Sequence, residues 1–100
     1  SDSLNLKSTT KLNEIIEGGL LPQNSLLEFW VNDDTEYKRE IRKAINTVFS
    51  TDFYGFCFIY RSSDGTTRLL KCIGFDSFKT YVTTYTEVNS VGWMDSWIEK

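Results

Sequence analysis

Few residues in this chain could do chemistry, and histidine is missing from them altogether. Histidine is the commonest general base, nucleophile activator and metal ligand near neutral pH, so Ser-His and Cys-His catalysts are excluded. Carboxylates remain: Asp33, Asp34 and Glu36 stand close together, and Asp52, Asp64 and Asp76 are scattered through the second half. None falls in a spacing that pairs an acid with a base, and Asn32-Asp33-Asp34-Thr35 ahead of a helical repeat reads as a helix cap. Cys57 and Cys72 lack the CxxC spacing of zinc or redox sites. Gly18-Gly19 stands alone and reads as a helix stop, not a phosphate cradle. The expectation is a chain that is not an enzyme and that takes no metal and no cofactor.

Charge narrows the partners. The formal net charge is −3 and the isoelectric point about 4.8, so nucleic acid and anionic membrane surfaces repel the chain. The one basic cluster, Lys38, Arg39, Arg42 and Lys43, is interrupted by Glu36 and Glu40 at helical spacing and reads as a solvated helix face. No run approaches the roughly 18 apolar residues of a membrane-spanning helix, and Ser1-Asp2-Ser3 is unlike a signal peptide, so membrane insertion is not expected. The start without methionine suggests a piece cut from something longer, or an N-terminus removed by processing. Aromatic residues make up 15 % of the chain, including Trp30, Trp93 and Trp97. They fit two roles: filling a small core, or stacking on sugars or partner proteins from the surface.

The elements that position these residues follow from periodicity. At 100 residues there is room for one domain spanning 1–100. Thr9 to Glu17 sets Leu12, Ile15 and Ile16 on one face of a short N-terminal helix. Ser25 to Val31 reads as a strand. Glu36 to Ser50 carries Tyr37, Ile41, Ala44, Ile45, Val48 and Phe49 at helical spacing, which predicts a long amphipathic helix packed through Ile41, Ile45, Val48 and Phe49. Phe53–Arg61 and Thr66–Ile73 are strand-like runs joined by Ser62-Ser63-Asp64-Gly65. With Asp64 and Gly65 as a two-residue turn, Phe58 faces Lys71, Ile59 faces Leu70 and Cys57 faces Cys72. That pair is expected as two free thiols, since the wide spacing of a hydrogen-bonded pair suits a bridge poorly. The run 56–60 is apolar on both faces, so it is expected to be central, with the long helix on one side and something else on the other. Lys79–Glu87 is a further strand, Asn89-Ser90 a turn, and Val91–Ile98 a last strand or extended tail. The fold class is therefore α+β: an antiparallel sheet of about four strands, one long amphipathic helix and one short N-terminal helix.

Tyr54-Gly55-Phe56-Cys57-Phe58-Ile59-Tyr60-Arg61, then Asp64-Gly65, Leu69-Leu70, Lys79-Thr80-Tyr81-Val82 and finally Gly92-Trp93 with Trp97 resemble the knob domain at the C-terminal end of phage and contractile-bacteriocin tail fibres, the pyocin-knob type. The likeness spans residues 54–97. Two tryptophans separated by three residues instead of two, and Thr83 where an arginine often stands, depart from the family pattern. The resemblance implies a homotrimeric fibre tip in the virion tail, assembled in the bacterial cytoplasm, that recognises a bacterial surface glycan or other envelope component.

Two further readings compete with the fibre tip. One is an acidic inhibitor or immunity-type protein, cytoplasmic, that caps a basic protein; the other is a purely structural or assembly domain. The residues expected to contact a ligand are Arg61, Arg68, Tyr81 and Tyr85. The first two face each other across the hairpin, where like charges need solvent or a shared anion. The tyrosines share a strand face with threonines, which reads as a half-polar surface. Trp93 and Trp97 are assigned mainly to structure.

Overall fold

The computed structural model describes residues 6–87 and 96–100. Along the chain lie a short helix α1 (Leu12–Ile16), strand β1 (Ser25–Val31), the long helix α2 (Glu36–Phe49), and strands β2 (Gly55–Arg61), β3 (Thr67–Gly74), β4 (Thr80–Thr86) and β5 (Ile98–Glu99). The strands pair antiparallel, each with the next in the chain, into one five-stranded sheet. This is the expected α+β architecture with one strand more than the four anticipated. Asn89-Ser90, Val91 and Trp93 lie outside the described residues.

Helix α2 forms where apolar residues recur at helical spacing, and it ends at Ser50, whose backbone turns left-handed at φ 53°. Thr35, in extended conformation, is its N-cap residue. Asp33 and Asp34, expected as caps, instead take cations: Asp34 holds Lys38 at 3.2 Å, and Asp33 holds Arg42 at 2.7 Å. Tyr37, Ile41 and Ile45 are buried against the sheet, each isoleucine contributing roughly 1.5–3 kcal/mol. Val48 corrects the expectation, since it is 40 % exposed and lies outside the buried core. By angle it falls between Tyr37 and Ile41, so its exposure goes with its place in the last turn of α2 and not with its side of the helix. Helix α1 buries Leu12, Ile15 and Ile16 beside α2 and is tied to it by the Glu40 carboxylate, which accepts the Leu12 amide at 3.0 Å.

One face of the sheet carries Val31 from β1, Cys57 and Ile59 from β2, Leu70 and Cys72 from β3, and Tyr81, Thr83 and Tyr85 from β4, all buried with the helices in one core. Phe49 and Phe53 close on the Tyr81 ring at 4.8 and 5.7 Å between centroids. Cys57 stands directly opposite Cys72, as the register requires, and both thiols are unbridged. Burial pushes the Cys72 thiol well up, so it packs as a small neutral side chain. Gly55 sits where the backbone of the neighbouring strand comes too close for any side chain, because a Cβ there would collide with the Ile73 carbonyl.

The β2–β3 register is the expected one, yet the turn is not a two-residue loop. The Gly65 amide donates to the Ser62 carbonyl at 3.0 Å, and only Gly65, at φ +82°, takes the positive φ that the tight turn would ask of both residues. Asp64 serves the turn through its carboxylate instead, accepting from the Ser62 hydroxyl, the Thr66 amide and the Thr66 hydroxyl at 2.7, 3.1 and 2.9 Å. Those bonds, the Ser62 hydroxyl first, hold its pKa down at about 2. A depressed carboxylate stabilises the fold above its unfolded value near ~3.9 and stops doing so as the pH falls through about 2.

Candidate functional site

The four residues expected at a binding surface all belong to the covered face. Arg68, Tyr81 and Tyr85 retain 1 %, 3 % and 7 % of their surface, so the contact role expected for them has no accessible surface to act through. Arg61 is half-buried. The reading of the Tyr81–Tyr85 face as half-polar and solvent-facing is therefore corrected. Threonine is amphipathic enough to line a core when its hydroxyl is satisfied, and Thr83 Oγ1 lies 2.9 Å from Ser96 Oγ.

Arg61 and Arg68 do face each other, and the anion they need is internal. Both guanidinium groups reach the Glu87 carboxylate, Arg68 at 3.1 Å and Arg61 at 3.9 Å, and both donate to the Gly65 carbonyl, at 2.9 and 3.0 Å. Arg61 also donates to the Leu21 carbonyl at 2.8 Å, and Arg68 lies 5.4 Å from the centre of the Tyr85 ring. The pair braces the hairpin tip against the loop after α1. Arg42 is engaged in the same way: its guanidinium donates to the Phe53 carbonyl and to Asp33 and Asp52, and it lies 4.0 Å from the centre of the Tyr54 ring. With Lys38 on Asp34 and Arg39 on Glu36, three of the four cations of the basic cluster are paired within the fold. Among the described residues, no group of three metal-ligating side chains comes together, and no helix is long and apolar enough to cross a membrane.

What remains is the opposite face of the sheet, which no described element covers. The register lays its side chains in three rows across the strands. Leu26, Tyr60, Leu69 and Thr84 form one outer row; Glu28, Phe58, Lys71, Val82 and Ile98 form the central row; Trp30, Phe56, Ile73 and Thr80 form the other outer row. Trp30 keeps 38 % and Phe56 51 % of its surface, and Leu26, Tyr60, Leu69 and Ile98 are likewise exposed. The Trp30 ring stands edge-on to Phe56 at 5.0 Å and tilted to Phe75 at 5.9 Å, which extends the aromatic patch to the β3–β4 turn. Single exposed apolar residues are ordinary on a monomer, whereas a contiguous strand face of them marks an interaction site.

The signal for this face was present in β2 itself, since Phe56, Phe58 and Tyr60 alternate with Cys57 and Ile59 and only one of the two sets can lie under the helices. Leu26 and Trp30 join the aromatic set through the β1–β2 register, which pairs them with Tyr60 and Phe56. A hollow of about 530 Å³ lies beside α1, lined by Lys7, Thr9, Thr10, Glu14, Gly18 and Leu20. Thr10, its buried polar side chain, is already used by the Lys7 amide at 2.9 Å. Searches against family models, curated proteins and solved structures found no match to this chain.

Proposed function

We propose that the chain is a non-enzymatic binding module whose working surface is the open face of its sheet. A single observation carries this: one face of the sheet is sealed by two helices, and the other presents Leu26, Trp30, Phe56, Tyr60 and Leu69 to solvent as one contiguous surface. The chemistry of that surface suits polypeptide side chains. Its strands carry one acid and one base, Glu28 and Lys71, among apolar rows.

The fibre-tip identity gives the proposal its most concrete form. A tip domain packs against neighbouring subunits as well as meeting the envelope component, and an open apolar sheet face is what subunit packing uses. The acidic-inhibitor reading asks for carboxylates gathered on the binding surface, and Glu28 stands alone there, which favours the tip. Labelled protein is expected to adhere to intact bacterial cells of a susceptible strain and to be displaced by purified envelope polysaccharide. Absence of adhesion across a panel of strains, with tight one-to-one capture of a basic protein instead, would replace the tip reading with the inhibitor.

A further inference from the structure

We infer that the occupant of the open face is a second copy of this chain, an inference that rests on reading that face as the working surface. The register points to it. Glu28, Phe58 and Lys71 stand side by side in the central row, on β1, β2 and β3, with the acid and the base one strand either side of Phe58.

Consider a two-fold axis lying between two sheets packed face to face and running along β2. It lays β1 of one copy over β3 of the other, and β2 over β2. Glu28 then meets Lys71 of the second copy, and the same contact repeats on the other side of the axis, as an isologous interface requires. The outer rows match as well, with Leu26 over Leu69, Tyr60 over Tyr60, Trp30 over Ile73 and Phe56 over Phe56. Every charge finds its opposite and every apolar side chain meets another.

Other two-fold arrangements of the same face do worse. An axis running across the strands stacks Glu28 on Glu28 and Lys71 on Lys71, which repel. An axis moved to the gap between β2 and β3 sets Glu28 against Val82 and Phe58 against Lys71, which buries two charges unpaired. Aligned sheets cross at about 30° and sit about 10 Å apart, which shifts Glu28 and Lys71 by only ~2.5 Å from alignment, because they lie one strand from the axis. A lysine side chain spans that shift.

The size of the contact sets its strength. Three strands about 4.8 Å apart and seven residues long make a flat area of roughly 350 Å² on each copy, before side-chain relief is added. Both copies together fall below the roughly 1,200 Å² where stable interfaces begin, so the dimer is weak and dilution separates it. Tethering two copies within one assembly would raise the effective concentration and hold such a contact closed.

Sedimentation velocity from about 10 µM to about 1 mM, a range that brackets a weak contact, is expected to show monomer passing to dimer. Glu28→Lys and Lys71→Glu, both at exposed positions, should fold as the parent does by circular dichroism. Each should weaken self-association at least tenfold. An equimolar mixture of the two variants should associate again, since one variant carries a base and the other an acid at both positions, so each cross-copy contact regains opposite charges. The double variant should dimerise like the parent. A trimer, or a dimer indifferent to both charge reversals, would overturn the inference. So would a parent that stays monomeric throughout, and there an apolar dye such as anilinonaphthalene sulfonate separates the two failures. Dye bound by the parent and lost in Phe56→Ser would leave the face as a working surface for a different partner. No dye binding would remove that reading too.

Discussion

Ile45→Asp is expected to give a chain that does not fold, while Val48→Asp on the same helix is expected to fold and to melt within about 5 °C of the parent. Ile45 is fully buried between α2 and the sheet, so the substitution removes a large apolar contact, worth about 2–5 kcal/mol, and leaves a carboxylate without a partner in its place. A domain of this size has roughly 5–15 kcal/mol of total stability, and the two losses together consume most or all of it. Val48 meets solvent already, and a charge there changes little. Circular dichroism melts of both variants read the difference. Loss of structure in both, or in neither, would mean that α2 does not pack as described.

The second large effect separates the two faces of the sheet. Tyr81→Ala is expected to cost about 3–5 kcal/mol, because its ring packs between Phe49 and Phe53 in the core. Phe56→Ala, on the open face, is expected to cost less than about 1 kcal/mol even though it deletes a ring of similar size. Urea titrations monitored by circular dichroism would measure both. Equal losses would show that both faces are covered in solution. A smaller loss for Tyr81 than for Phe56 would reverse the assignment of the faces.

The elements themselves were legible in the sequence because each carries a local signal. Val31 to Thr35 passes from an apolar strand to polar capping residues, and Ile41 with Ile45 marks the helix face. The Asp64-Gly65 turn centres the hairpin, so the Cys57–Cys72 register followed even though the loop closes differently from the expected tight turn. The covered face was harder to read. On β4 the two strand faces carry nearly the same mixture, Tyr81, Thr83 and Tyr85 against Val82 flanked by threonines, and alternation alone does not say which points inward. The decision comes from β3, where Leu70 and Cys72 sit opposite Thr83 and Tyr81 in the β3–β4 register and share the core with Ile59 and Cys57. Carrying the hairpin register one strand further would have placed the tyrosines inside. Arg68 was misleading for a different reason. An arginine reads as exposed until an internal acid is known, and Glu87 lies 19 positions further along the chain. The open face was legible as an apolar alternation on β2, but that no described element covers it depends on where both helices dock, which is a property of the whole fold.

The most direct test is hydroxyl-radical footprinting of the intact chain at rising protein concentration. If the open face is the working surface and a second copy covers it, oxidation of Trp30, Phe56 and Tyr60 falls as concentration increases, and Phe78, exposed on the β3–β4 turn, stays reactive throughout. Tyr81 and Tyr85, within the core, should be oxidised slowly at every concentration. The contradicting result is a Trp30 and Phe56 reactivity that does not change with concentration while protection appears elsewhere on the molecule.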